Sequence, residues 1–536
     1  MTVHRVTAVA LVLASAVMLG TTPGLAKTFR YATQADAQTM DPYSIDVTST
    51  TGFLQNIFEG LVHRTPDLKI EPALATSWEN TGGNTWRFTL RQGVTFHGGE
   101  SFTADDVVFS FERIRKPGSD LLGRVASIKS VTKVDDHTVD IETDGPDPTL
   151  LANLTNVLIM SREWAEKNGA TNPVDLKSGK DNAAAYSADG TGPYRLETRE
   201  AGLKTVLKAN PGWWGQRQSN VDEVVFTPIV TSPTRIAALL SGQIDLADPI
   251  PIQDIPRVET APDVKVLAGP ELRSIFLGLD VRRPELLGSD LQGVNPFKDI
   301  RVRTAMYKAI DVDLIRDRVM RGRSTPLALL NAPGVNGFNA ELNDRPPADP
   351  DGARVLMKEA GYENGFKVRM NCPNDRYVND EQICIAVVGM LAKIGIKVDL
   401  EAEPSRTYFP KANRHEVSFY LLGNTPPAYD SFSAIFSQLM CPEEIVAGRW
   451  PTIKGQGAFN HGGFCSEALD ATARQVKSEL DPIKRQQGFD EIWKILKAEK
   501  TYIPIHAQTL AWGVRSNVTV SQRPDGVLDL RYVSVD

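Results

Sequence analysis

Residues 366–402, FKVRMNCPNDRYVNDEQICIAVVGMLAKIGIKVDLEA, decide the fold class. Phe366, Val368 and Met370 alternate with polar residues, the period of a half-buried strand. Asp380 can open a helix that turns Ile383, Val387, Met390, Leu391 and Ile394 to one side. Gly395 ends that helix, and Ile396, Val398, Leu400 and Ala402 alternate again. Strand, helix and strand of this length make a βαβ crossover, almost always right-handed. Val417 to Leu422 is a further strand whose apolar run predicts burial on both faces. Upstream, Asp299 can cap a helix carrying Val302, Ala305, Met306 and Ala309 on one face. Residues 351–360 read as another helix, ended by Gly361. Residues 286–499 are therefore expected to form an α/β lobe.

The region before it has a different texture. Residues 86–90 alternate as a strand, and Thr103 with Asp106 three positions on has the form of a capping box. Val107, Val108, Phe111 and Ile114 follow at helical spacing. Residues 131–134 and 138–141 flank Asp135-Asp136-His137, a hairpin signal. This predicts a compact mixed unit over residues 71–189. Residues 190–285 are rich in strand formers, with a short helix at 232–240.

With 536 residues the chain is long enough for two to four domains. It is 41% hydrophobic and 23% charged, ordinary globular usage. Its net charge is −7, and it shows neither a run of five like charges nor a basic stripe, so a nucleic-acid partner is not expected. The one long apolar run, Val6–Leu19, is shorter than the about 20 residues needed to span a bilayer. It follows His4-Arg5 and precedes Gly24-Leu25-Ala26, the pattern of a signal peptide cleaved after residue 26. The mature protein is thus expected outside the cytoplasm. Cys372, Cys384, Cys441 and Cys465 fit an oxidising compartment. Three pairings are open, and local closure favours Cys372–Cys384 and Cys441–Cys465. No C-x-x-C spacing supports a zinc site.

Ligands of open α/β sheets bind beyond the carboxyl ends of strands. Two such ends stand out, Asn371–Tyr377 and Gly423–Asp430. Arg376 could pair with a carboxylate or phosphate. Tyr377 and Tyr429 could offer a ring with a polar tip. Asn424 and Thr425 belong to the same polar rim. Asp430 could hold an ammonium, or could cap the helix that begins near Phe432. Six histidines follow the leader (His63, His97, His137, His415, His461 and His506), and none lies in H-E-x-x-H. G-x-S-x-G and the Walker phosphate loop are absent. His415, on the approach to a strand, is the one to watch as a metal ligand. No catalytic residue, cofactor or metal is expected.

Several segments carry a resemblance. Residues 74–79 (LATSWE), 85–99 (TWRFTLRQGVTFHGG) and 102–110 (FTADDVVFS) match the signature of the family 5 solute-binding proteins of bacterial ABC importers. So do Gly192-Pro193-Tyr194, Asn210–Gly215, Asn295-Pro296-Phe297 and the stretch from Arg301 to Asp311. The resemblance covers essentially the whole mature chain and names the dipeptide- and oligopeptide-binding group.

It implies an α/β, two-lobed periplasmic-binding-protein fold of the class II, cluster C type, with an extra α+β subdomain on the first lobe. Residues 27–70, 190–285 and 500–536 would form the first lobe, 71–189 the extra subdomain and 286–499 the second lobe. The implied activity is capture of a small solute, a peptide or peptide-like compound, and delivery to a cognate ABC permease and its ATPase. The expected unit is a monomer. The signature around His97 would be scaffold, and the two loops above would line the cleft. One departure bears on the solute. Peptide binders of this type carry Gly-Trp and then an acid that anchors the α-amine, whereas Gly423-Asn424-Thr425-Pro426-Pro427 has neither. An opine, oligosaccharide or metal-chelate receptor therefore stays open, and a secreted hydrolase is the remote rival.

Overall fold

The computed structural model of the protein describes residues 26–442 and 455–536. The signal-peptide expectation, but for Ala26, lies outside these residues. Among them no helix is long and apolar enough to cross a membrane.

The strands run in chain order as β1 (Thr28–Thr33), β2 (Val62–Arg64), β3 (Ile70–Pro72), β4 (Ala75–Gly82), β5 (Thr85–Leu90), β6 (Ile128–Asp135) and β7 (Thr138–Thr143). They continue as β8 (Tyr194–Glu200), β9 (Lys204–Ala209), β10 (Glu223–Pro228), β11 (Leu246–Asp248), β12 (Val264–Leu279) and β13 (Thr325–Pro326). Then come β14 (Phe366–Pro373), β15 (Ile396–Glu403), β16 (Phe419–Asn424) and β17 (Tyr502–Arg515), followed by the short pair β18 (Val518–Thr519) and β19 (Ser534–Val535). One 11-stranded sheet has the order β15-β14-β16-β12-β17-β11-β1-β10-β9-β8, with β13 beside β17.

The mixed unit has its own sheet, β4-β5-β7-β6. The capping box is formed: Thr103 accepts from Asp105, and the Asp106 carboxylate accepts from the Thr103 amide, opening the helix Ala104–Ile114. That helix buries Val107, Phe111 and Ile114, each worth about 1.5–3 kcal/mol of transfer free energy. Signature residues bond to one another and to the chain around them: His97 Nε2 lies 3.0 Å from the Gly192 carbonyl, and the Trp213 and Trp214 indoles donate to the buried Glu59 carboxylate at 3.1 and 2.8 Å.

The βαβ reading holds, with β14 and β15 parallel in register from Phe366↔Ile396 to Pro373↔Glu403. The crossover helix Asp380–Ala392 buries Ile383, Val387, Met390 and Leu391. β16 is buried from Phe419 to Leu422. The chain joins the two halves of the large sheet through β12 and β17. Val264–Pro270 pair with Arg515–Thr509, the register breaks, and Ser274–Gly278 pair with residues 507–502.

Both local disulfides form, Cys372–Cys384 and Cys441–Cys465. The first ties the end of β14 to the crossover helix and so clamps the loop bearing Arg376 and Tyr377. Removing either bridge by paired alanines should cost about 3 kcal/mol. A lowered urea midpoint is the check, and an unchanged midpoint would refute it.

Candidate functional site

Two sets of parallel strands end at the same place. β1, β10 and β11 are parallel neighbours and finish at Thr33, Pro228 and Asp248. β14, β15 and β16 finish at Pro373, Glu403 and Asn424. Asn424 sits opposite Ser274 on β12, and Ala247 opposite Gly513 on β17. Both sets of carboxyl ends therefore point at the break between Pro270 and Ser274, where the cleft of such a sheet lies.

Three polar side chains occupy that break. Arg273 donates to Glu271 Oε1 at 3.1 Å, and Gln508 donates to Glu271 Oε2 at 2.6 Å. Gln508 Oε1 accepts the Val378 amide at 3.0 Å, tying the strand crossing to the loop after β14. Burial, opposed by the Arg235 charge and reinforced by Glu271, pushes the Asp248 carboxyl up to about 7. Sequence reasoning missed Asp248, Glu271, Arg273 and Gln508. Glu271 and Gln508 are 237 positions apart, and no local pattern joins them.

The loop after β14 is organised by Asp380, whose Oδ2 accepts the Arg376 and Tyr377 amides at 2.9 Å each. Tyr377 is buried, and its hydroxyl donates to the Gly423 carbonyl at 3.2 Å. Burial raises its phenol. A Cβ on Gly423 would stand 2.7 Å from that ring and 2.6 Å from Ile275, so only glycine lets the ring lie across the end of β16. Arg376 is exposed and has no carboxylate within ion-pair range among the described residues; its guanidinium lies 5.3 Å from the Tyr377 ring centre. Asn424 Nδ2 and Thr425 Oγ1 are buried atoms without a hydrogen-bond partner. Unsatisfied buried polar atoms are costly and mark places where a ligand or water can complete the bonding.

Tyr429 and Asp430 are placed differently. The Asp430 carboxylate is 3% exposed and ion-paired with Arg485 at 2.6 and 2.9 Å. It also accepts from Asn336 Nδ2 at 2.7 Å and from the Phe432 amide at 2.9 Å. Each oxygen thus has two donors, which fills its acceptor sites, and the helix-capping role is the one realised. Tyr429 donates to Asp525 at 3.1 Å and lies under Arg64, 4.5 Å away. Both side chains are thus engaged by partners within the chain, Asp430 by Arg485 and Asn336 and Tyr429 by Asp525 and Arg64.

Among the described residues no group of three or more His, Cys, Asp or Glu side chains is placed to hold a metal ion. His415 stacks edge-on against His461 at 5.3 Å, and burial with that neighbour pushes His461 down to about 3.

Residues 69–442 match the model of the bacterial extracellular solute-binding proteins, family 5 Middle. The chain belongs to that family. Members of the family are binding proteins, and this solute-binding protein has the two-lobed fold of its structural neighbours. It is 29% identical to heme-binding protein A of Haemophilus influenzae, over 86% of this chain and 83% of that one. It is 25% identical to the probable deoxycholate-binding periplasmic protein YgiS of Escherichia coli, over 90% and 88%. The solved ABC transporter-associated periplasmic binding protein DppA of Helicobacter pylori, in complex with peptide STSA, matches with TM-score 0.69 and 26% identity over 95% and 98% of the chains.

Proposed function

We propose that the protein is the periplasmic receptor of an ABC importer and captures a peptide or peptide-like solute between its lobes. Export through residues 1–26 would bring it there, and the disulfides suit that compartment. The lobes would be 27–70, 190–285 and 500–536 on one side and 286–499 on the other, with 71–189 as the added subdomain. Closure about β12 and β17 would enclose the solute, and the protein would hand it on unchanged to a permease. The observation that carries this is the meeting of both sets of strand ends at one polar crossing, beside the unsatisfied Asn424 and Thr425. Relatives lend the solute class: one is named a dipeptide-binding protein, several are named glutathione-binding proteins, and the H. pylori protein holds a tetrapeptide.

Arg376, Tyr377, Asn424 and Thr425 are the proposed contacts. A second reading rests on residues 424–427, where Asn-Thr-Pro-Pro offers no carboxylate for an α-amine. It favours a solute recognised by a carboxylate and hydroxyls, such as an opine or a sugar acid.

Mass spectrometry of the protein from its own periplasm, native and then denatured, tests both. A ladder of peptide masses supports the first reading, and one sugar, opine or chelate mass replaces it with the second. Against the solute so released, Arg376→Ala should weaken binding about tenfold, the worth of one charge-assisted hydrogen bond. Its melting temperature should stay put, because the side chain is exposed. Unchanged affinity would remove Arg376 from the site.

A further inference from the structure

One contact across the cleft involves no solute position. Arg64 ends β2, in the core of the first lobe, and its guanidinium is buried. It donates to the Leu68 carbonyl at 2.9 Å and to the Ala428 carbonyl at 3.0 Å, while Nε has no partner. No carboxylate of the described residues lies within ion-pair range of it. Its charge is further favoured by the Tyr429 ring, 4.5 Å away, and by the field of Asp525. The Leu68 carbonyl stays with β2, whereas the Ala428 carbonyl and the Tyr429 ring belong to the loop after β16, so parting the two sides strips a buried cation of two of its three contacts.

That loop is shaped for the reach. Ala428 and Tyr429 are consecutive non-glycine residues in the left-handed region, at φ 58° and 56°. The turn is held from behind by the Asn336 amide on the Tyr429 carbonyl at 2.8 Å and by Asp430 on Arg485. Its hydroxyl crosses to Asp525, which Arg523 grips at 2.6 Å. Leu68, Leu272, Val335 and Tyr429 close an apolar cluster beside it, drawn from the first lobe, the strand crossing and the second lobe. On the far side of the crossing, Arg323 pairs with Glu259 at 2.8 Å and Gln253 bonds Asn379 at 2.6 Å.

We propose that Arg64 and Tyr429 form an interlobe latch, positioning residues that favour the closed state through contacts between the lobes themselves. The inference rests on the hinge-closure reading above. A protein whose closed form is partly populated before binding loses less affinity to the closing step. The latch therefore tunes affinity from outside the solute site. Its parts are a hydrogen bond to a carbonyl, a ring contact and a hydroxyl–carboxylate bond, each weak enough to part on opening.

The test uses spin labels at Asp144→Cys and Ile483→Cys, exposed positions on the subdomain and the second lobe. The four native cysteines are all in disulfides, so only the introduced thiols react. The protein is unfolded in guanidinium, washed free of solute and refolded, and the label distances are measured. A short-distance population is expected, falling about tenfold relative to the open one in Arg64→Ala and about threefold in Tyr429→Phe. Tyr429→Phe keeps the ring and guards against misfolding of the first variant, and an unchanged melting temperature separates a latch from a general prop. A single long distance in the parent, or a short population that neither variant reduces, overturns the latch. The mass spectrum of released solute stands or falls separately, so failure of the latch is distinct from failure of the capture reading.

Discussion

Asp430→Ala is expected to lower the unfolding free energy by about 3–5 kcal/mol, the usual cost of stripping one member from a buried ion pair. Arg485 is 5% exposed, and its two terminal nitrogens both bond Asp430. Its Nε is held by the Val476 carbonyl, so the guanidinium cannot swing out to water. The alanine variant would also free Asn336 Nδ2 and uncap the helix at Phe432. Urea unfolding of the purified protein reads the loss. The opposite pattern, normal stability with solute binding abolished, would mean that the carboxylate anchors the solute and that its pairing with Arg485 is secondary. Arg376→Ala should behave in the reverse way, so the two variants separate a proposed recognition residue from a scaffold one.

That division was only half legible in the sequence. The βαβ unit could be read because strand and helix periods alternate within 37 consecutive residues, and burial of Ile383, Val387 and Leu391 follows directly from that period. The capping box at Thr103 and Asp106 is equally local. The short disulfides follow the same logic, since near cysteines meet first. Asp430 shows where such logic ends. A carboxylate before a helix can cap it or bind a cation, and the deciding partner, Arg485, lies 55 positions away on another helix. The strand crossing is harder still. β12 holds Gly269 and Pro270 midway, local breakers that tertiary pairing with β17 overrides. Nor could one sequence reveal that Arg64 would lie against residues 428 and 429, because 364 positions separate Arg64 from Ala428.

His506 should set a measurable part of the acid sensitivity. It lies on β17 between Pro326 of β13 and Ile275 of β12, is 1% exposed, and neither ring nitrogen has a hydrogen-bond partner. Burial alone pushes it down to about 3, against 6.5 in the unfolded chain. Between those values the unfolded chain carries the proton and the native ring does not, so stability rises with pH across the interval. The neutral ring costs nothing in protonation above pH 6.5, and native stability drains away as pH falls from 6.5 toward 3. The slope is about 1.4 kcal/mol per pH unit for one group. His506→Phe removes this term and keeps a ring of similar shape in the strand. Its stability relative to the parent should therefore climb as the solution is acidified, by about 3 kcal/mol between pH 6.5 and pH 4. Other titrating groups act equally in both proteins and cancel in the difference. The pH 7 value serves as the packing baseline, and parallel curves for parent and variant down to pH 4 would show that the native imidazole takes up its proton, through water entry or a shift of β13, as readily as the unfolded one.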